Sequence, residues 1–212
     1  MSKRLACGWI LRHAVRNRQP VQVVVIAIGG SASVGKTTLA TDVSRALGLG
    51  RVVHVDDLRG ASFIDSMPDV WQAPAARLLD SLIAETERTH GVIAAEIDAL
   101  VTASSSGLIE GEGVEPRLLH RWPRTHVRSA YVIEDDADRL RETFARRPSA
   151  RFLSLSRDEQ AAVVEMNRGY GAWLRQEADS RNQAWVPSQP WDTLAERVMT
   201  ALELPTRDRL RS

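Results

Sequence analysis

Two hydrophobic periods alternate along this chain. Short, continuous apolar runs ("VVVIAI" from Val23 to Ile28, then "RVVHVDD" and "SAYVIED") lack polar alternation in their cores, as parallel strands covered on both faces do. Between them, apolar residues recur three and four positions apart. Leu39, Val43 and Leu47 predict a helix over 38–47, closed by "GLG". Leu78, Leu79, Leu82 and Ile83 predict another, with Pro74 in its first turn, and Ile93, Ile97, Leu100 and Val101 predict one more. Further on, "GLIE" reads as a short buried strand and "DDADRLRETFARR" as a charged helix. After the polar break "PSARFLS", Val163, Met166, Tyr170, Trp173 and Leu174 share one face of a long helix. "QAWV" predicts a last strand. The closing helix buries Leu194, Val198 and Leu202, with Thr193 and Glu196 spaced for a capping box. Strand and helix alternating in this way predict an α/β fold of three layers, α/β/α, around a parallel sheet.

Length and charge narrow the picture. A chain of 212 residues buries one good core, with little room for a second full domain. Basic and acidic residues nearly balance, 28 against 27, so the total charge gives no reason to expect a nucleic-acid or membrane partner. One local excess stands at the start, where Lys3, Arg4, Arg12, Arg16 and Arg18 alternate with Leu5, Ile10, Leu11 and Val15. This predicts a basic amphipathic helical extension over 1–20. No apolar core of secretory length follows those charges, and no segment has the length to span a bilayer. Cys7 is the single cysteine, so no intrachain disulfide or cysteine-based zinc site is available. A reducing, cytoplasmic location is expected.

Chemistry enters right after the first strand. The residues Gly30, Ser31, Ala32, Ser33, Val34, Gly35, Lys36 and Thr37 match G-x-x-x-x-G-K-[ST] at every fixed position, and Thr38 follows. Glycines at the two ends let the backbone turn and approach an anion without a Cβ clash. The loop amides and the positive end of the next helix favour phosphate. Lys36 is expected to reach the outer phosphates and the Thr37 hydroxyl to ligate Mg²⁺. A nucleoside triphosphate, ATP with Mg²⁺, is therefore the expected ligand.

Other segments narrow the class. No "NKxD" follows a strand to read guanine, and no "hhhhDE" supplies a motor-type second motif. Instead the second strand ends in Asp56, Asp57, Leu58 and Arg59, at the sheet edge where ligands of open α/β folds gather. Asp56 is the favoured proton acceptor for an attacking hydroxyl, with Asp57 as its competitor, and Arg59 can pair with an anionic group on the same substrate. The strand "GLIE" delivers Glu110 to the same edge, as a metal or acceptor ligand, with Glu112 and Glu115 beyond. Arg117, Arg121 and Arg124, with His120 and Trp122, offer an anion clamp. Arg139, Arg141, Arg146, Arg147 and Arg151 surround the break before the long helix, where a mobile lid would lie; Arg146 and Arg147 are the catalytic candidates there, the rest pairing with Asp135, Asp138 and Glu142. His54, Trp71, Trp173, Trp185 and Trp191 read as packing or pocket-wall residues.

Together these segments resemble the small-molecule kinases of the phosphate-loop superfamily, the nucleoside-monophosphate-kinase-like group, and within it 2-phosphoglycerate kinase and its relatives. The likeness is carried by "IGGSASVGKTTLA", "VHVDDLR", "GVIAAEIDALVTASSSGLIEGEGVEP" and "QPWDTLAERV", which span most of the chain after residue 20. It implies a five-stranded parallel sheet in the order 2-3-1-4-5. It also implies ATP and Mg²⁺, and phosphoryl transfer to a small hydroxylated acceptor, anionic or neutral, such as a phosphorylated acid, nucleoside or nucleotide, amino sugar or antibiotic. The kinase domain would cover 21–205, with a lid around 136–160 and a frayed tail over 206–212, and the loop from Pro187 to Pro190 would lie near the adenine. Where the related loops carry glycine, this chain has Ser33. A slow ATPase acting as a nucleotide-dependent regulator, docking through the basic extension, is the alternative reading.

Overall fold

A computed structural model describes residues 25–59, 72–146 and 151–205. The basic extension over 1–20, Trp71, Arg147 and the tail over 206–212 lie outside the described residues, as does the side chain of Arg151. Five parallel strands form one sheet in the order β2-β3-β1-β4-β5, as the resemblance implies. They are β1 (Val25–Gly30), β2 (Val52–His54), β3 (Gly107–Glu110), β4 (Val127–Ile133) and β5 (Ala184–Pro187).

All six residues of β1 are buried, because the strand is central and covered on both faces. Its alternation sorts the core. Val25 and Ala27 point to one side, packing with Ile93, Ile97, Ile109, Tyr131, Tyr170 and Leu174. Ile26 and Ile28 point to the other, with Leu39, Val43, Val132, Leu140 and Val198. The first side is covered by α3 (Ala75–Thr102) and much of α7 (Arg157–Ser180); the second by α1 (Lys36–Leu47), α5 (Ala137–Ala145) and α8 (Leu194–Ala201). Short helices α2 (Val55–Arg59), α4 (Pro116–Leu119) and α6 (Arg151–Ser154) and a single 3₁₀ turn (Trp191–Thr193) complete the described elements.

Several local expectations are corrected. The helices expected at Leu78 and Ile93 are one helix of 28 residues. Gly91 lowers helix propensity by about 1 kcal/mol, too little to break a continuous apolar face when no proline follows it. Pro74 precedes that helix as its cap rather than lying inside it. The second strand stops at His54, and Val55, Asp56 and Asp57 open α2, where carboxylates favour the positive helix end. Thr193 and Glu196 make no capping box: the Thr193 hydroxyl donates to the Pro190 carbonyl at 3.3 Å. A true capping box starts α7 instead, between Ser156 and Glu159. No described helix is long and apolar enough to cross a membrane.

Candidate active site

The loop after β1 forms a tight cradle. Gly30 has φ +151° and Gly35 φ +89°, both unfavourable for a residue with a side chain. A Cβ on Gly30 would sit 2.6 Å from the Val132 carbonyl oxygen and 3.4 Å from Lys36 Cδ. Ser33 holds φ +65° in spite of its side chain. Lys36 is buried and donates from Nζ to the Ser31 carbonyl at 2.6 Å. From the far helix α7, Asn167 accepts the Ala32 amide at 3.1 Å and donates to Val163 in its own helix at 2.9 Å, so the loop is anchored to the opposite layer. The hydroxyls of Ser31 and Ser33 are buried and lack a hydrogen-bond partner. Buried polar groups are nearly always satisfied, so these two point to a ligand with acceptor oxygens.

A second corner lies at the carboxyl ends of β1, β2 and β3. Strand register sets Glu110 beside both Ile28 and His54. Thr37, exposed at the start of α1, donates its hydroxyl to Glu110 Oε1 at 3.0 Å, and His54 Nδ1 donates to the same oxygen at 2.6 Å. Glu110 is itself buried. His54 is thus a partner of the site rather than a packing residue. Among the described residues no cluster of three or more His, Cys, Asp or Glu can hold a metal alone. One hydroxyl beside one carboxylate suits Mg²⁺, a hard cation that keeps waters and takes its remaining oxygens from phosphate. The crevice between β1 and β3, where the strand order turns, is the usual ligand position in open sheets.

Around these corners the charged residues are strongly paired. Asp56 is largely exposed and lies 3.8 Å from Arg59; Asp57 is exposed too. Arg59, largely buried, donates to the Glu112 carbonyl at 2.5 Å and pairs with its carboxylate at 3.5 Å, which ties α2 to the loop after β3. Glu115 is fully buried and accepts from His90 Nε2 at 2.9 Å, Arg117 Nε at 2.8 Å and the Tyr170 hydroxyl at 3.0 Å. Burial alone would raise its pKa, but the His90 and Arg117 contacts outweigh it and hold the carboxyl below its ordinary range. Arg117 also pairs with Glu87 and lies 4.9 Å over the Trp173 ring, so it is embedded in a structural network.

The wider clamp does not assemble. His120, Trp122 and Arg124 line a cavity of about 160 Å³ with Val127 and Ala184, the first residues of β4 and β5. That is the amino edge of the sheet, opposite the cradle, because the chain returns there to begin β4 after the single turn of α4. Arginines of the expected lid pair locally: Arg141 with Asp138 at 2.6 Å, Arg146 with Glu142 at 3.4 Å, and Arg139 with Asp136 at 3.5 Å. Asp135, in the loop before α5, pairs with Arg175 on α7 at 3.6 Å rather than with an arginine of α5.

Asn167 carried a readable signal, a polar residue within the apolar stripe formed by Val163, Met166, Tyr170 and Leu174. Of the two readings open for Trp191, packing or pocket wall, the structure agrees with the second: it is 47% exposed and lines a cleft beside the cradle.

This geometry belongs to a recognised architecture: the chain shares its α/β fold with solved small-molecule kinases. It is similar to a sugar kinase from Janibacter sp., with TM-score 0.58 and 16% identity over 86% of this chain and 95% of that one. A gluconokinase from Sinorhizobium meliloti gives TM-score 0.50 and 12% identity, over 86% of this chain and 92% of that one. No protein-family model matches the chain, and no curated protein matches it at a significant level.

Proposed function

We propose that this chain is an ATP- and Mg²⁺-dependent kinase that moves the γ-phosphoryl group to a hydroxyl of a small molecule. The observation that carries the reading is the 3.0 Å contact of Thr37 with Glu110, at the mouth of a glycine cradle that holds Lys36. A fold shared with small-molecule kinases supports it.

In this reading, the cradle from Gly30 to Thr38 binds the triphosphate. Ser31 and Ser33 donate to its oxygens, and Lys36 leaves the Ser31 carbonyl to balance charge that builds on the transferring group. Thr37 and Glu110 would hold Mg²⁺, which would supply charge neutralisation at the phosphates. His54 orients Glu110 through its 2.6 Å bond. Asp56 accepts the proton of the attacking hydroxyl, with Asp57 as the competitor, and Arg59 faces the acceptor from the same helix. Arg146 and Arg147 close over the phosphates and exclude water. Phosphoryl transfer has a loose transition state, so positioning and charge complementarity carry most of the acceleration. The narrower likeness to 2-phosphoglycerate kinase rests on the segments quoted above, and the acceptor is defined only as small and hydroxylated. No observation favours the regulatory-ATPase alternative.

The test is a screen of hydroxylated metabolites for acceptor-dependent ADP release, with Asp56→Asn and Asp57→Asn run beside the native protein. One of the two substitutions should abolish transfer while leaving ATP affinity nearly intact. Full turnover in both variants would remove the assigned base.

A further inference from the structure

The arginines that fail to reach the acceptor corner line a space of their own. The cavity of about 160 Å³ at the amino edge opens where α4 and α7 end and where β4 and β5 begin. Arg124, Arg181 and His120 stand in its wall, and that wall contains no carboxylate. Trp122 and Val127 give it an apolar side. Its volume is below the usual range of about 300–1,000 Å³ for ligand pockets, so it suits a few heavy atoms rather than a nucleotide.

Cations near a helix carboxyl end often serve the helix itself. Here that role is filled by Arg181. Its Nη1 donates to the Glu177 carbonyl at 3.2 Å and to the Ser180 hydroxyl at 2.8 Å, and pairs with the Glu177 carboxylate at 2.9 Å. All of these contacts run through one nitrogen, which leaves the rest of the guanidinium fork open. The side chains of Arg124 and His120 are exposed and make neither a hydrogen bond nor an ion pair among the described residues. They are surplus to the fold. Trp122 donates its indole N–H to Asp98 at 2.8 Å, and Arg121 lies 5.1 Å over the same ring. The floor is fixed, since Gln183 accepts from the buried Tyr131 hydroxyl at 2.7 Å and donates to the Pro116 carbonyl at 3.3 Å. Two guanidinium groups and an imidazole therefore line a preformed space that has no anion of its own. The planar arginine fork matches phosphate oxygens two at a time.

We propose that this cavity binds the phosphate group of a small phosphorylated organic molecule, held by Arg124 and Arg181, with its carbon skeleton against Trp122 and Val127. Free phosphate shares the chemistry, but the apolar side of the cavity favours an ester. The site lies on the opposite edge of the sheet from the cradle. Its occupant takes no part in the phosphoryl transfer proposed above, and the inference does not depend on that reading.

Amide-resolved NMR titrations of the full chain locate binding directly, with sn-glycerol 3-phosphate, inorganic phosphate and glycerol as probes at constant ionic strength. Glycerol 3-phosphate should shift the amides of Arg124, Ser129 and Asn182 saturably, and glycerol should leave them in place. The cradle is a second anion site, so Lys36→Ala should weaken any shifts from Ser31 to Thr38 without changing those at the amino edge. Arg124→Gln alters an exposed, unpaired side chain. It should weaken amino-edge binding about tenfold or more, the scale of losing a bond to a charged group, and leave the cradle shifts native. Arg181→Gln should act in the same direction; because Arg181 also closes α7, Arg124→Gln decides if that variant does not fold. Inorganic phosphate should bind the amino edge more weakly than the ester. The proposal is overturned by the absence of saturable amino-edge shifts, by shifts that Arg124→Gln leaves unaltered, or by equal shifts with glycerol. Inorganic phosphate binding there as tightly as the ester would overturn the assignment to an organic molecule.

Discussion

Replacing Ser33 with glycine separates what the phosphate loop does for stability from what it does for binding. Ser33 sits at φ +65°, a left-handed conformation that costs a residue with a Cβ about 1–2 kcal/mol. Its hydroxyl is buried without a partner, so the native fold loses no hydrogen bond when the side chain goes. Against this, glycine adds about 0.5–1 kcal/mol of unfolded-state freedom. The difference leaves the ligand-free Ser33→Gly variant more stable by about 0.5–1 kcal/mol, which raises Tm by about 1–4 °C in a domain of this size. Binding should move the other way. If the orphaned hydroxyl donates to a phosphate, its loss removes a bond to a charged group, about 1.5–3 kcal/mol, or about 10- to 100-fold in ATP affinity. Thermal scans with and without saturating MgATP read both effects at once: a higher ligand-free Tm and a smaller ligand-induced shift. A lower ligand-free Tm, or a ligand-induced shift as large as in the native protein, would refute the reasoning. Strain kept at a functional loop is a recurrent feature of binding sites.

Other perturbations test separate parts of the account. Asn167→Ala leaves the Ala32 amide without its acceptor, so the variant should lose about 1–3 kcal/mol of stability in urea titrations and bind ATP more weakly, although Asn167 lies on the far helix. Glu115 has a folded-state pKa below its ordinary value, so its stabilisation is fully present above the unfolded pKa of about 4.3 and is lost as pH falls through the folded value. Denaturation at pH 7 and pH 4 should therefore show the stability gap between native protein and Glu115→Gln narrowing in acid; a gap that is constant or widens in acid would mean the carboxylate is not held ionised by His90 and Arg117.

The inner strands β1 and β3 were legible because they are buried along their whole length and so appear as apolar runs, β1 most clearly. The cradle was legible because a phosphate imposes glycine, lysine and hydroxyl at fixed spacing. The helix from Ala75 to Thr102 reads as two in sequence, although its apolar face continues from Leu82 to Ile93 and the one glycine between them, Gly91, is too weak a breaker to divide it. His54 was misread because strand burial was assumed for its side chain, whereas the pairing that brings it to Glu110 depends on register, which one strand's sequence does not encode. For Trp191 the sequence left packing and pocket wall open, and only the fold, which brings the turn after β5 to a cleft with residues of α1, decides for the second. The acidic pair Asp56 and Asp57 reached the expected edge of the sheet but on a helix rather than a strand, since carboxylates at the first turn gain from the helix dipole.

Binding of MgATP to the native chain, Lys36→Ala and Glu110→Gln, measured calorimetrically with and without Mg²⁺, addresses the central claim most directly. The account predicts that Lys36→Ala weakens ATP by about 100-fold, the scale of losing a charge-assisted contact to phosphate. It also predicts that Glu110→Gln keeps the metal-free affinity but loses the gain conferred by Mg²⁺. ATP affinity unchanged by either substitution would contradict it.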